Sequence, residues 1–259
     1  MIKVFVAVSL IFGTVVGSGF LSGNEIVVFF SRFGALSYLY ITLASVLMFF
    51  AFYYFLRHGS KVGEFIQKNK WLNFLILAIS IVFCASMFAG IKNLFGYFDS
   101  GVYYFLVVML LLVSLFVTAK GIGGLERANA VLTPIFSVIF LIVIIFSLGK
   151  GDGSSSGSFA WAGIIYAPLY VSLNVSMSVF VLAKMGEKLN KKQTFFASLF
   201  SSLMLFGFLM ICNVILQKNP NSFSGEMPIL DIVKDNRILF IFEYFVILIG
   251  CFTTLFSLL

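Results

Sequence analysis

Apolar residues run through this chain in long blocks, broken by short polar stretches. A helix that crosses a bilayer needs about 20 mostly apolar residues. Eight blocks meet that requirement: 2–31, 35–56, 71–92, 102–119, 128–148, 161–183, 194–216 and 238–259. The pattern predicts an all-α polytopic membrane protein. Trp71, Tyr103, Tyr104 and Trp161 fall near predicted helix ends, where membrane proteins place interfacial aromatics.

The first block is interrupted. Gly13-Thr-Val-Val-Gly-Ser-Gly-Phe20 brings three glycines within seven residues, and each costs about 1 kcal/mol against alanine in a helix. Backbone groups freed in lipid cost several kcal/mol apiece, so such a break must line a polar cavity or meet a neighbouring backbone. Both uses fit. Gly13-x-x-x-Gly17 and Gly19-x-x-x-Gly23 have the spacing of closely packed membrane helices. A break also bares carbonyls on the helix ending near Gly13, suited to a small hard cation, and N–H groups on the helix resuming after Gly19, suited to a carboxylate. A signal peptide fits less well, because the apolar pattern continues to Phe30.

The sixth block carries Tyr166-Ala-Pro-Leu-Tyr-Val-Ser-Leu-Asn174. Pro168 is expected to kink or unwind it, and Tyr170 and Asn174 to offer hydrogen bonds to a solute. Two interrupted segments, first and sixth, point to a binding site between inverted repeats. Residues 1–148 then form a first five-helix repeat, 149–160 an external linker, and 161–259 a partial second repeat of three helices. Gly149–Ser158 is flexible by composition. The stretch Ser222–Asp235 reads as a short helix over the outer mouth, either a lid or an interfacial helix.

Composition supports the membrane assignment. The chain is 61% hydrophobic and 10% charged, against about 25% charged in soluble domains. Its net charge of +7 therefore reflects loops, not nucleic acid. Eleven of 17 basic residues fall in inside segments if the N-terminus is cytoplasmic, which predicts that orientation in a cell membrane. Cys84, Cys212 and Cys251 lie in apolar segments without disulfide or metal spacing. Two acids also fall within apolar blocks, where a charge costs about 2.5–3.5 kcal/mol. Glu25, just past the break, is a candidate coupling acid or a partner for Arg32; Glu243 lies nearer an end, within reach of water. Gly250 and Thr254 share a helix face with Glu243, flanked by Thr253; the threonine hydroxyls suit a cation or bond back to their own helix. No catalytic motif is present, and an enzyme is not expected.

The run GTVVGSGFLSGNEIVVFFSRFG, residues 13–34, resembles the unwound first helix of LeuT-fold transporters in the amino acid–polyamine–organocation superfamily, and most of all the YkvI-type bacterial membrane proteins. APLYVSLN, residues 167–174, is similar to their broken sixth helix. The resemblance implies a LeuT-like inverted-repeat bundle of ten core helices, of which this chain lacks the last two. It implies a sodium site made of the Gly13 and Val16 carbonyls with Gly250, Thr253 and Thr254, and a solute carboxylate at Gly17, Ser18 and Gly19. A further sodium site in some relatives uses an asparagine where this chain has Phe20. The expected function is secondary active transport of a small zwitterionic, amino-acid-like solute by alternating access, coupled to sodium or protons. No cofactor beyond the ion is implied. A non-transporting membrane sensor or assembly protein that keeps the fold is the alternative.

Overall fold

The computed structural model describes residues 1–95, 101–151, 153 and 161–258. Among these the chain is all-helical. The first apolar block forms three short helices, α1 (Ile2–Val15), α2 (Ser18–Leu21) and α3 (Asn24–Phe29), followed by a 3-10 segment, Ser31–Leu36. Long helices follow: α4 (Ser37–Lys68), α5 (Lys70–Phe95), α6 (Gly101–Thr118), α7 (Ile122–Ser147), α8 (Ala162–Gly186) and α9 (Lys191–Lys218). A short helix, α10 (Pro228–Val233), precedes α11 (Arg237–Leu258).

Each of the eight expected spans thus has its helix or broken helix. Among the described residues six helices are long and apolar enough to cross a membrane. Large apolar side chains such as Phe74, Ile81, Phe146 and Phe245 are exposed along them, as a lipid-facing surface requires. Trp71, Tyr104 and Trp161 are exposed near helix ends; the side chain of Tyr103 lies outside the described residues.

The α1 helix is the axis of the bundle. From Leu10 to Val16 every residue is buried, and α1 packs on α7, α8, α9 and α11. Around it, α4 and α8 form the most extensive helix pair, and glycines set their separation. A Cβ on Gly186 would stand 2.0 Å from the Leu56 carbonyl oxygen, and one on Gly59 2.4 Å from the Ala183 Cα. The backbones touch because neither glycine has a side chain.

At one end of the bundle, Lys188 pairs with Glu126 at 2.7 Å and Lys3 donates to the Lys188 carbonyl. At the other end, α10 folds back over the break. The Ile229 N–H donates to the Ser22 carbonyl at 2.9 Å, and its side chain packs on Gly23, where a Cβ would stand 2.9 Å from Ile229 Cγ1 and the φ of +83° favours glycine. The segment expected to form a short external helix is therefore docked on the first span. The segment from Gly149, read as flexible, is tied down where it is described. Gly153 N–H donates to the Lys218 carbonyl, Asn219 to the Lys150 carbonyl, and the Lys150 ammonium to the Ile232 carbonyl. Asp152 and residues 154–160 lie outside the described residues, as does Leu259.

Candidate functional site

The break in the first span occurs at Val16–Gly17. Val16 closes α1 by donating to the Phe12 carbonyl at 2.8 Å, and Gly17 turns its N–H back to Val15 at 3.2 Å. The Gly13 carbonyl is thereby left without the donor that a continuing helix would supply. Gly17 is extended, at φ −100° and ψ −166°. A second interruption follows at Ser22–Gly23, so the glycine-rich stretch divides the span into three pieces rather than two.

The α11 helix reaches into this opening. The Thr254 hydroxyl lies 3.4 Å from the Gly13 carbonyl oxygen and 3.4 Å from that of Val16. Three oxygens from two elements thus converge. Ligands about 2.3–2.6 Å from a hard cation stand at comparable mutual distances. Carbonyl and hydroxyl oxygens are the kind of donor a small hard cation takes. Two other expected ligands stand apart in their bonding: the Thr253 hydroxyl donates to the Gly250 carbonyl at 3.0 Å, within their own helix. Gly250 acts instead by its missing side chain. A Cβ there would meet Leu21 Cδ1 at 2.1 Å and the Val16 carbonyl oxygen at 3.4 Å.

Close packing and opening coexist at the glycines. A Cβ on Gly13 would stand 2.0 Å from Asn129 Oδ1 and 2.5 Å from the Thr133 hydroxyl of α7. Thr133 in turn donates to the Ser9 carbonyl at 3.0 Å. Asn129 and Thr133, four residues apart on one helix face, were not singled out from the sequence. Their signal is two polar residues at i and i+4 beside Pro134 in an apolar block. Gly17 abuts Met87 and Thr254, and Gly90 of α5 makes room for Ser18, whose hydroxyl lies 3.6 Å from the Met87 sulfur.

The sixth span departs from expectation. The α8 helix runs unbroken through Pro168. A proline removes one hydrogen bond, whereas unwinding in lipid frees several backbone groups at several kcal/mol apiece, so continuity is the cheaper state. The neighbouring polar side chains bond back to carbonyls of their own helix: Ser172 donates to Leu169, Asn174 to Tyr170 at 2.9 Å and Ser178 to Asn174. Pro168 itself is exposed and lines an apolar groove of about 670 Å³ with Leu47, Phe55 and Val175.

Tyr170 and Asn174 are nevertheless fully buried, facing the first span. Tyr170 packs between Phe29 and Phe30, at ring-centre distances of 5.3 and 4.9 Å. Its hydroxyl lies within electrostatic reach of Glu25 and Cys212 and beside Asn174. Glu25 lies against the break, where a Cβ on Gly19 would stand 2.3 Å from Oε1. Glu25 is therefore near both Gly19 and the Tyr170–Asn174 pair, whereas Gly17 and Ser18 face Met87, Gly90 and Thr254. The N–H groups at Ser18 and Gly19 open a helix of four residues, too short to sum a substantial dipole for a carboxylate.

Glu25 does not pair with Arg32. The Arg32 guanidinium stacks on the Tyr166 ring at 4.3 Å and on Phe33 at 5.1 Å. Glu243 does not reach water: it is fully buried, and both carboxylate oxygens lack a hydrogen-bond partner. Such groups cost about 1–3 kcal/mol each when neutral and more when charged, which marks them as functional candidates in a membrane.

No family model, characterised protein or solved structure matches this chain.

Proposed function

We propose that the protein is a secondary active transporter of a small amino-acid-like solute, coupled to sodium or protons by alternating access. One observation supports this above the others: the Thr254 hydroxyl meets the Gly13 and Val16 carbonyls at the gap in the first span. Main-chain oxygens freed at membrane depth and shared with a hydroxyl from a distant helix suit reversible ion binding. The buried Glu25–Tyr170–Asn174 neighbourhood next to the gap supplies polar groups for a solute. The resemblance of residues 13–34 to the first helix of LeuT-fold transporters points the same way.

Uptake into proteoliposomes across an amino-acid and amine panel, with and without a sodium gradient and a pH gradient, is the test. Uptake driven by one gradient is expected. Thr254→Val should lower sodium-driven uptake roughly tenfold or more, the scale of losing a polar ligand in a buried site, while Thr254→Ser retains it. Absence of uptake under every gradient overturns transport and favours a membrane sensor or assembly protein.

A further inference from the structure

Of the six long apolar helices α5 is the least buried, and it leaves a groove against the α4–α8 pair. The groove takes about 670 Å³ and is walled by Phe55 and Ile66 of α4, Leu72 and Ile76 of α5, and Val175 and Val179 of α8. Ile66, Ile76 and Val179 form a small buried cluster of their own, separate from the main core. A second recess of about 490 Å³, lined by Asn69, Trp71, Leu72, Phe74 and Leu75, shares Leu72 with the first. The two recesses therefore flank one turn, the single residue Asn69 between α4 and α5.

That turn is basic. Residues 57–70 hold Arg57, Lys61, Lys68 and Lys70 against one acid, Glu64. Arg57 is engaged by Tyr53, donating to its hydroxyl at 2.8 Å. The three lysines are exposed. Among the described residues Lys61 and Lys70 form no ion pair, and Lys68 reaches only Glu64, at 4.0 Å. Lys61 and Lys68 stand four residues before and three after Phe65, so they share the helix face that Phe65 adds to the groove. Lys70 opens α5, whose first amides add positive potential. Gly186 touches Leu56 two residues before Lys188, so the turn lies at the Lys3–Lys188 end, where the charge count predicts the cytoplasm.

Two apolar recesses on either side of a cluster of exposed ammonium groups complement one kind of molecule, with two chains and an anionic head group between them. Lipids of that kind give the cytoplasmic leaflet its negative surface. A second copy of the chain fits poorly. A two-fold axis along the membrane normal would set two such turns side by side, like charge against like.

We propose that this face binds one anionic two-chain phospholipid, with an acyl chain in each recess and the phosphate at Lys61, Lys68 and Lys70. The lipid bridges α5 to the α4–α8 pair. Met87 and Gly90 of α5 abut Gly17 and Ser18, so it also steadies one wall of the break. The inference stands on the groove and its charges and needs no step of the transport reading.

Native mass spectrometry of the purified full chain, offered equal dioleoyl phosphatidylglycerol and dioleoyl phosphatidylcholine in detergent, reads the preference. One phosphatidylglycerol should be retained per chain, roughly tenfold or more over phosphatidylcholine, the scale of two or three lysines at an anionic head group. Lys61→Gln, Lys68→Gln and Lys70→Gln together should bring the ratio to about one, with thermal unfolding in phosphatidylcholine nanodiscs unchanged. The three Lys→Arg changes should preserve it. Phosphatidylglycerol nanodiscs should raise the unfolding midpoint of the unaltered chain but not of the triple Gln variant. Ser172→Trp, on the groove wall, should lower lipid retention without altering charge, and carries the test if the triple variant does not insert. Equal retention of the two lipids, an unchanged ratio in the Gln variant or full retention in Ser172→Trp overturns the site. So does oleate or glycerol phosphate binding as tightly as the phospholipid, since one chain or the head group alone would then suffice. A dimer that excludes lipid from the groove overturns it as well.

Discussion

Gly13 serves two neighbours at once. Its carbonyl faces the Thr254 hydroxyl, and the space where its side chain would stand is taken by Asn129 and Thr133. Gly13→Ala should therefore displace the α7 pair and break the bond from Thr133 to Ser9, costing about 1–3 kcal/mol as an overpacked core does. Thermal unfolding checks this. Asn129→Ala in the same background should recover part of the loss, because contacting residues couple. The glycine-rich break was legible because the cost of glycine in lipid is local and large. Its partners were not. Asn129 and Thr133 lie more than a hundred residues away, and their i, i+4 polar pair marks a buried face without naming α1 as its partner. Glu243 shows the same limit: the sequence placed it near a helix end, while its burial depends on the helices packed against α11.

The α4–α8 pair makes the argument at the scale of elements. Apolar block lengths gave the helices, since length and hydropathy alone decide whether a segment spans. Continuity of α8 is not legible from Pro168, because proline's penalty is local while the larger penalty of unwinding in lipid is set by the bilayer. Contact between helices was not legible either: Gly59 and Gly186 sit in ordinary-looking stretches, yet each lies against backbone of the other helix. Backbone cannot yield as a flexible side chain can. Gly186→Leu should separate α4 from α8 and reduce the folded fraction recovered by size-exclusion chromatography. Gly63, on α4 with nothing within 4 Å of its would-be Cβ, is the control. Gly63→Ala should leave folding intact and add up to about 1 kcal/mol from helix propensity.

For the whole molecule, the decisive relation is between α10 and the first span. Pro228 opens α10, where its missing N–H costs nothing. Ile229, Leu230 and Val233 are fully buried beneath it. Beside α10 a surface cleft of about 500 Å³ is lined by Gly151, Asn219, Asp231 and Lys234. One backbone bond and one side chain, both from Ile229, fasten α10 to the link at Ser22–Gly23. A six-residue helix cannot hold itself, so its order depends on docking: these Ile229 contacts, the burial of Leu230 and Val233, and the Lys150 bond to Ile232. Ile229→Ala removes the side-chain contact and leaves the backbone bond. Losing a buried isoleucine contributes about 2–5 kcal/mol, enough to free α10 without unfolding the bundle. Hydrogen exchange should then speed up at α10 amides roughly tenfold or more, with α1 and α7 unchanged. An equal rise across the bundle would instead make α10 an integral part of the core.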